Sequence, residues 1–110
     1  MSSIRRSNGC SRVFTECVFN DRGATLAGAV ISDEVMPNVI QLATGAWYDP
    51  ERPGGLEKHG NPNVLTRDQG TSKLGQGTSA HSCLVDIEKW TGPAVIVTAH
   101  QPPRIVPRAP

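Results

Sequence analysis

The densest concentration of hydrogen-bonding chemistry in this 110-residue chain is the run His59-Gly60-Asn61-Pro62-Asn63-Val64-Leu65-Thr66. Pro62 fixes φ between two side-chain amides, Gly60 frees the backbone before them, and each amide offers two donors and an acceptor. Such a run is a preorganised hydrogen-bonding loop. Asn61 and Asn63 also suit Asx turns that merely hold a loop together, and residue type alone favours that second role. Trp47-Tyr48-Asp49-Pro50 combines apolar faces with polar tips, which serves a ligand pocket or the anchoring of a loop to a core.

Other combinations carry less. Ser79 and His81 pair a nucleophile type with a base type, but such close neighbours in a strand or turn point apart, so no catalytic pair is expected. His59, His81 and Asp86 have no recognised metal-ligand spacing. Gly75-Gln76-Gly77 neither follows a strong strand nor opens a clear helix, so it is not a dinucleotide fingerprint. Cys10, Cys17 and Cys83 are odd in number and contain no Cys-x-x-Cys pair, which argues against a disulfide framework and a structural zinc site and for a reducing compartment.

The elements that must position these residues are short. Gly 11 and Pro 9 exceed the roughly 12% usual for soluble proteins, and only five residues are aromatic, so the chain is loop-rich and short of large core anchors. A net charge of +1 lacks the field that gathers nucleic acid or anionic lipid, and no apolar run reaches the roughly 20 residues of a membrane helix. Arg5-Arg6 precedes a polar stretch where an export signal needs an apolar one, so a cytoplasmic protein is the expectation, with a periplasmic location left open.

Along the chain, Met1–Arg12 reads as a loose leader and Val13–Asn20 as a strand buried on both faces. Asn20-Asp21-Arg22-Gly23 makes a hairpin turn into Ala24–Ile31, whose small residues require something to approach their backbone closely. Ser32 or Asp33 caps a helical turn ended by Pro37, and Val39–Leu42 reads as a short buried strand. Thr44–Gly70 is a long loop, functional when ordered. Gly70–Ser82 holds a helical turn from Thr71 or Ser72. Cys83–Trp90 and Ala94–Thr98 are further strands, and the proline-rich tail from Gln101 is extended.

Several of these segments together resemble a known family. Phe19-Asn20-Asp21-Arg22-Gly23, then Gln41-Leu42-Ala43-Thr44-Gly45-Ala46-Trp47-Tyr48-Asp49-Pro50, then His59 to Thr66, Gly70-Thr71-Ser72-Lys73-Leu74-Gly75-Gln76-Gly77 and Ser79-Ala80-His81-Ser82 resemble the C-terminal cofactor-binding domain of the dimethyl sulfoxide reductase family. The nearest branch is that of trimethylamine-N-oxide and biotin sulfoxide reductases. The resemblance runs from Val18 to Pro103, leaving 1–17 as an unmatched leader and 104–110 as a proline-rich tail.

The resemblance implies a mainly β domain, a double-psi β-barrel of the aspartate-decarboxylase-like type, incomplete at its N-terminal side because Met1–Thr15 does not match the family's preceding strands. It implies binding of the bis(molybdopterin guanine dinucleotide) molybdenum cofactor, with the remaining domains of a molybdenum oxidoreductase as partners. Trp47, His59, Asn61 and Asn63 match the family's cofactor-contacting segments, Gln76 matches a glutamine facing the pterin region, and Thr44 and Ser72 match further polar contacts. The metal-ligating serine and the substrate funnel lie upstream in the family, so no catalytic residue or metal ligand is expected here, nor activity from the chain alone. A stand-alone β-barrel module and an inactive remnant are the alternatives. Missing strands also imply an exposed edge through which the chain self-associates.

Overall fold

A computed structural model describes residues 14–79 and 82–109. Their regular structure is almost entirely β: β1 (Phe14–Phe19), β2 (Ala24–Ala29) and β3 (Asp86–Lys89) form an antiparallel sheet in the order β2-β1-β3. The sheet is open, and the barrel implied by the resemblance is not seen as such among these strands.

The first hairpin follows from its turn. Asn20 Oδ1 accepts the backbone N–H groups of Arg22 (2.9 Å) and Gly23 (3.3 Å), and the Asn20 N–H donates to the Gly23 carbonyl (3.0 Å). This local closure sets the register Phe19↔Ala24 through Phe14↔Ala29. The Asn20 amide also donates to the carbonyls of Leu65 (2.8 Å) and Leu84 (3.2 Å), tying two distant segments to the turn. Arg22 Nε adds a 2.7 Å bond to the same Leu65 carbonyl.

Cys17 and Val18 are both buried, and successive strand residues point to opposite faces, so the centre of β1 is covered on both sides. Val18, Ala29 and Leu65 form the core cluster, with Ile40, Leu42, Val64, Cys83 and Val85 packed against it. Burial, with the Glu88 charge opposite, pushes the Cys17 thiol above its ordinary value, so it stays protonated and unreactive. β3 is exposed throughout. Its edge carries Asp86, Glu88 and Lys89, charges that blunt strand addition by another copy.

Four expected elements take other forms. Val39–Leu42 is not a strand: the Val39 N–H closes a turn on the Met36 carbonyl (3.2 Å), Asn38 sits at φ 60°, and Ile40 and Leu42 reach the core without a ladder partner. Ala94–Thr98 has no partner strand among the described residues either, and Thr98 is drawn instead onto Asp49. The helical turn after Ile31 is a bend in which Ser32 Oγ accepts the Glu34 N–H (3.1 Å). The strand expected at Cys83–Trp90 is confined to Asp86–Lys89, the stretch that faces β1.

Inside the long loop, residues 49–58 fold into a small hairpin that residue periodicity does not reveal. Lys58 N–H bonds the Asp49 carbonyl (3.1 Å), Glu51 N–H the Leu56 carbonyl (2.9 Å) and Gly55 N–H the Arg52 carbonyl (2.8 Å). Pro53 and Gly54 stand at the centre of the turn, with Gly54 at φ 72°, as a type II turn requires. The hairpin lies along the outer edge of β2: Leu26 N–H donates to the Glu57 carbonyl (2.9 Å) and Glu57 N–H to the Ala24 carbonyl (3.0 Å). The segment that approaches the small residues of β2 is therefore part of the same chain.

The segment after Pro93 is fastened to this hairpin at Thr98. Its N–H and hydroxyl both donate to the Asp49 carboxylate (2.9 and 2.7 Å to Oδ2), and Lys58 Nζ donates to Thr98 Oγ1 (3.0 Å) beside Asp49 Oδ1 (3.6 Å). The Thr98 hydroxyl first, then its N–H and the Lys58 charge, hold the Asp49 carboxyl below its ordinary value of 3.8 despite partial burial.

Two measurements check this framework. Asn20→Ala removes two acceptor and two donor contacts and should cost about 1–3 kcal/mol in urea unfolding, whereas a loss under about 0.5 kcal/mol would show that the turn forms without it. A lowered folded-state pKa means that Asp49 stabilises the fold above pH 3.8 and that this contribution disappears as pH falls through the lower folded value. The Thr98 amide resonance should accordingly shift as the solution is taken below pH 3.8 and lose the shift in Asp49→Asn. A resonance that stays put in the native chain would contradict the clamp.

Candidate functional site

The buried hydrogen-bonding centre of the molecule is Glu57, whose exposure is 0%. Its neighbour in the ladder is Thr25 on β2, and paired residues in adjacent strands share a face, so the Thr25 hydroxyl meets Glu57 Oε2 at 2.6 Å. Oε2 also accepts the Asn61 N–H (2.7 Å), while Oε1 accepts those of His59 (2.9 Å) and Asp49 (3.1 Å). One carboxylate thus has four donors from three stretches of chain. An ionised carboxylate is acceptor-only and tolerates burial when its lone pairs are filled in this way.

Asn61 extends that network. It is buried, its Oδ1 accepts the Asn63 N–H (2.9 Å), and its Nδ2 donates to the Ala46 carbonyl (2.9 Å). The first of these bonds caps a single 3-10 turn at Pro62–Val64, closed by Leu65 N–H on the Pro62 carbonyl (3.0 Å). Gly60 precedes it at φ 80°, with the Leu26 carbonyl 3.5 Å from where a side chain would begin. The Asx-turn role expected from residue type is therefore the one Asn61 fills.

Asn63 differs from Asn61. Its backbone serves the turn, but its side chain is exposed and makes none of the hydrogen bonds of the described residues. Trp47 follows the anchored Ala46 and is 68% exposed, with Tyr48 also exposed beside it. Asp49 is the anchor of that aromatic run, and Trp47 and Tyr48 are left exposed. Thr44 is exposed just before Gly45. His59 is partly buried, bonded through its N–H to Glu57, and its ring stands edge-on to His100 at 5.0 Å.

Ser72 and Gln76 form a second group. The helical turn expected there is a tight hairpin: Thr71 N–H bonds the Gly77 carbonyl and Ser72 N–H the Gly75 carbonyl, each at 3.0 Å, with Gly70 and Thr78 bridged. Ser72 Oγ accepts the Gly75 N–H (2.7 Å), and Gln76 Nε2 donates to the Ser72 carbonyl (3.3 Å). Both residues are exposed. The hydrogen bonds thus sort the candidates into a Glu57-centred group, with Trp47, His59, Asn61 and Asn63, and this separate hairpin.

His81 lies outside the described residues, and among those described no group of three or more His, Cys, Asp or Glu side chains could hold a metal ion. Reading the residues one by one does not find Glu57, Thr25 or Lys58, although Asp49 belongs to the run Trp47–Pro50 that stands out for anchoring a loop. The available signal was the run of small residues in β2, which demands a close neighbour without saying which.

Comparison with known proteins places this chain in a family. The profile of the Molydopterin dinucleotide binding domain matches residues 17–84, which include the second half of β1, all of β2, the Glu57 hairpin and the Asn61–Asn63 loop. The chain is 58% identical over 89 residues to trimethylamine-N-oxide reductase of Salmonella typhi, covering 78% of this chain and 10% of that protein. It is 58% identical over 84 residues to trimethylamine-N-oxide reductase 1 of Escherichia coli strain K12, covering 74% and 10%. With the dimethyl sulfoxide/trimethylamine N-oxide reductase of Cereibacter sphaeroides it shares 51% over 90 residues, covering 79% and 11%. The chain spans about a tenth of the length of these relatives. With most of its length matched by that profile, the chain belongs to the Molydopterin dinucleotide binding domain family, in the company of trimethylamine-N-oxide and dimethyl sulfoxide reductases.

Proposed function

We propose that this chain supplies part of the binding site for a molybdopterin guanine dinucleotide in a molybdenum-dependent S- or N-oxide reductase, over 18–103. The observation that carries the reading is that exposed Trp47 and the exposed, unengaged amide of Asn63 stand on two segments that Asn61 ties together by hydrogen bonds to the Ala46 carbonyl and the Asn63 N–H. A pterin or guanine edge is a neutral, planar array of donors and acceptors. A side-chain amide matches such an edge without adding charge, and an aromatic face lies against its plane. Because the loop is held by Glu57 and Asn61, little ordering entropy is left to lose on binding.

In this reading Asn63, His59 and Trp47 meet one portion of the cofactor. Gln76 and Ser72 present a second polar edge, with Thr44 beside the first, and Asn61 acts by holding the loop. When bound, the molybdenum centre supplies the two-electron chemistry by which an oxide is reduced. The open sheet supports a further step: other domains of the reductase complete it as a double-psi β-barrel. The radius of gyration, 16.2 Å against about 13 Å for a compact chain of this length, and the exposure of Ile96, Ile105 and Val106 support packing against such domains.

The test grafts the segment into a full-length relative and substitutes Asn63→Ala and Gln76→Ala separately. Losing a partner that the bound cofactor would cover leaves a cofactor polar group unpaired, a penalty of roughly 1–3 kcal/mol, so cofactor affinity should fall about tenfold or more. Retained molybdenum and guanine nucleotide per protein should drop in each variant. Unchanged cofactor content and reductase activity in both, with the fold intact, would contradict the assignment.

A further inference from the structure

Each member of the Glu57-centred group lies within a few bonded steps of one side chain that faces no solvent. His59 and Asn61 donate their N–H groups to Glu57 directly, at 2.9 and 2.7 Å. Asn61 in turn fixes Asn63 through its N–H and Trp47 through the preceding Ala46 carbonyl, both at 2.9 Å. On the other side of Trp47, Asp49 donates its N–H to the same carboxylate at 3.1 Å. The sheet enters through a single hydroxyl, that of Thr25 at 2.6 Å.

The geometry points to Glu57 as a positioning residue for cofactor recognition, which sets the Trp47 and His59–Asn63 segments against each other and against β2. This role rests on the cofactor reading above. The two oxygens divide the work: Oε1 holds Asp49 and His59, and Oε2 holds Thr25 and Asn61. Glutamine has nearly the same shape but only one acceptor oxygen. With that oxygen toward Asp49 and His59, the Thr25 hydroxyl can turn and accept from the new NH2 group, whereas the Asn61 N–H faces a donor. Glu57→Gln therefore breaks the bond to Asn61, the residue on which Asn63 and Trp47 depend, while leaving volume and the β2 backbone pairing in place.

The experiment uses the full chain with guanosine diphosphate as probe, reading amide hydrogen exchange and probe affinity by NMR in Glu57→Gln and, independently, Thr25→Val. Thr25→Val removes the hydroxyl that ties the carboxylate to the sheet and is the milder change if Glu57→Gln fails to fold. The expected result is at least tenfold faster exchange at Asn61 and Asn63, unchanged exchange in β1 and β2, and at least tenfold weaker probe binding, with a smaller effect of the same pattern in Thr25→Val. Unchanged exchange at Asn61, or exchange that rises equally throughout β1 and β2, would overturn the positioning role. Absence of probe binding by the unsubstituted chain would instead count against the cofactor reading, while the exchange pattern would still decide whether Glu57 orders these segments.

Discussion

A carboxylate with no exposure to water has to be met by donors from the protein, and that requirement at Glu57 organises the long loop and its junction with β2. Three of its four donors are backbone N–H groups in a loop that has little apolar side chain to pack. Hydrogen bonds to a charged acceptor are stronger than neutral ones, so a loop rich in glycine and proline can hold one conformation without a large core beneath it. The small residues of β2 complete the arrangement, because the Glu57 backbone pairs with Ala24 and Leu26 while its side chain reaches Thr25 on the same edge.

The two asparagines flanking Pro62 carry this order to the surface in different ways. Asn61 is buried and turns its whole amide inward, one end to the Asn63 N–H and the other to the Ala46 carbonyl. Asn63 receives a fixed backbone and keeps its own amide outside. One residue stiffens the loop and the next presents it. The Thr98 clamp on Asp49 adds a tether from the far end of the chain, next to the aromatic pair Trp47 and Tyr48.

Local chemistry was readable from the sequence where the partners are close along the chain. Asn20 closes on Arg22 and Gly23, so the first hairpin and its register follow from four residues. Pairing with a distant strand was only partly readable: Cys83–Trp90 forms β3 over Asp86–Lys89, where it faces β1, whereas Val39–Leu42 and Ala94–Thr98 have β-forming residues but no strand aligned with them among the described residues. The same limit hid Glu57, whose hydroxyl partner is 32 residues away and whose own segment shows no period. The segments around Trp47, His59 and Asn63 stood out through their resemblance to a family, a link that the profile over residues 17–84 bears out. Which asparagine faces inward depended on the Ala46 carbonyl, 15 residues from Asn61.

The most direct measurement is the through-hydrogen-bond scalar coupling between backbone amide nitrogens and the Glu57 side-chain carboxyl carbon in the isotope-labelled chain. Asp49, His59 and Asn61 should each correlate with that single carbon, the Asn61 coupling being the strongest because its contact is the shortest of the three at 2.7 Å. Absence of all three correlations, with these amides exchanging at the rate of unprotected backbone, would contradict the claim that one buried carboxylate orders the loop.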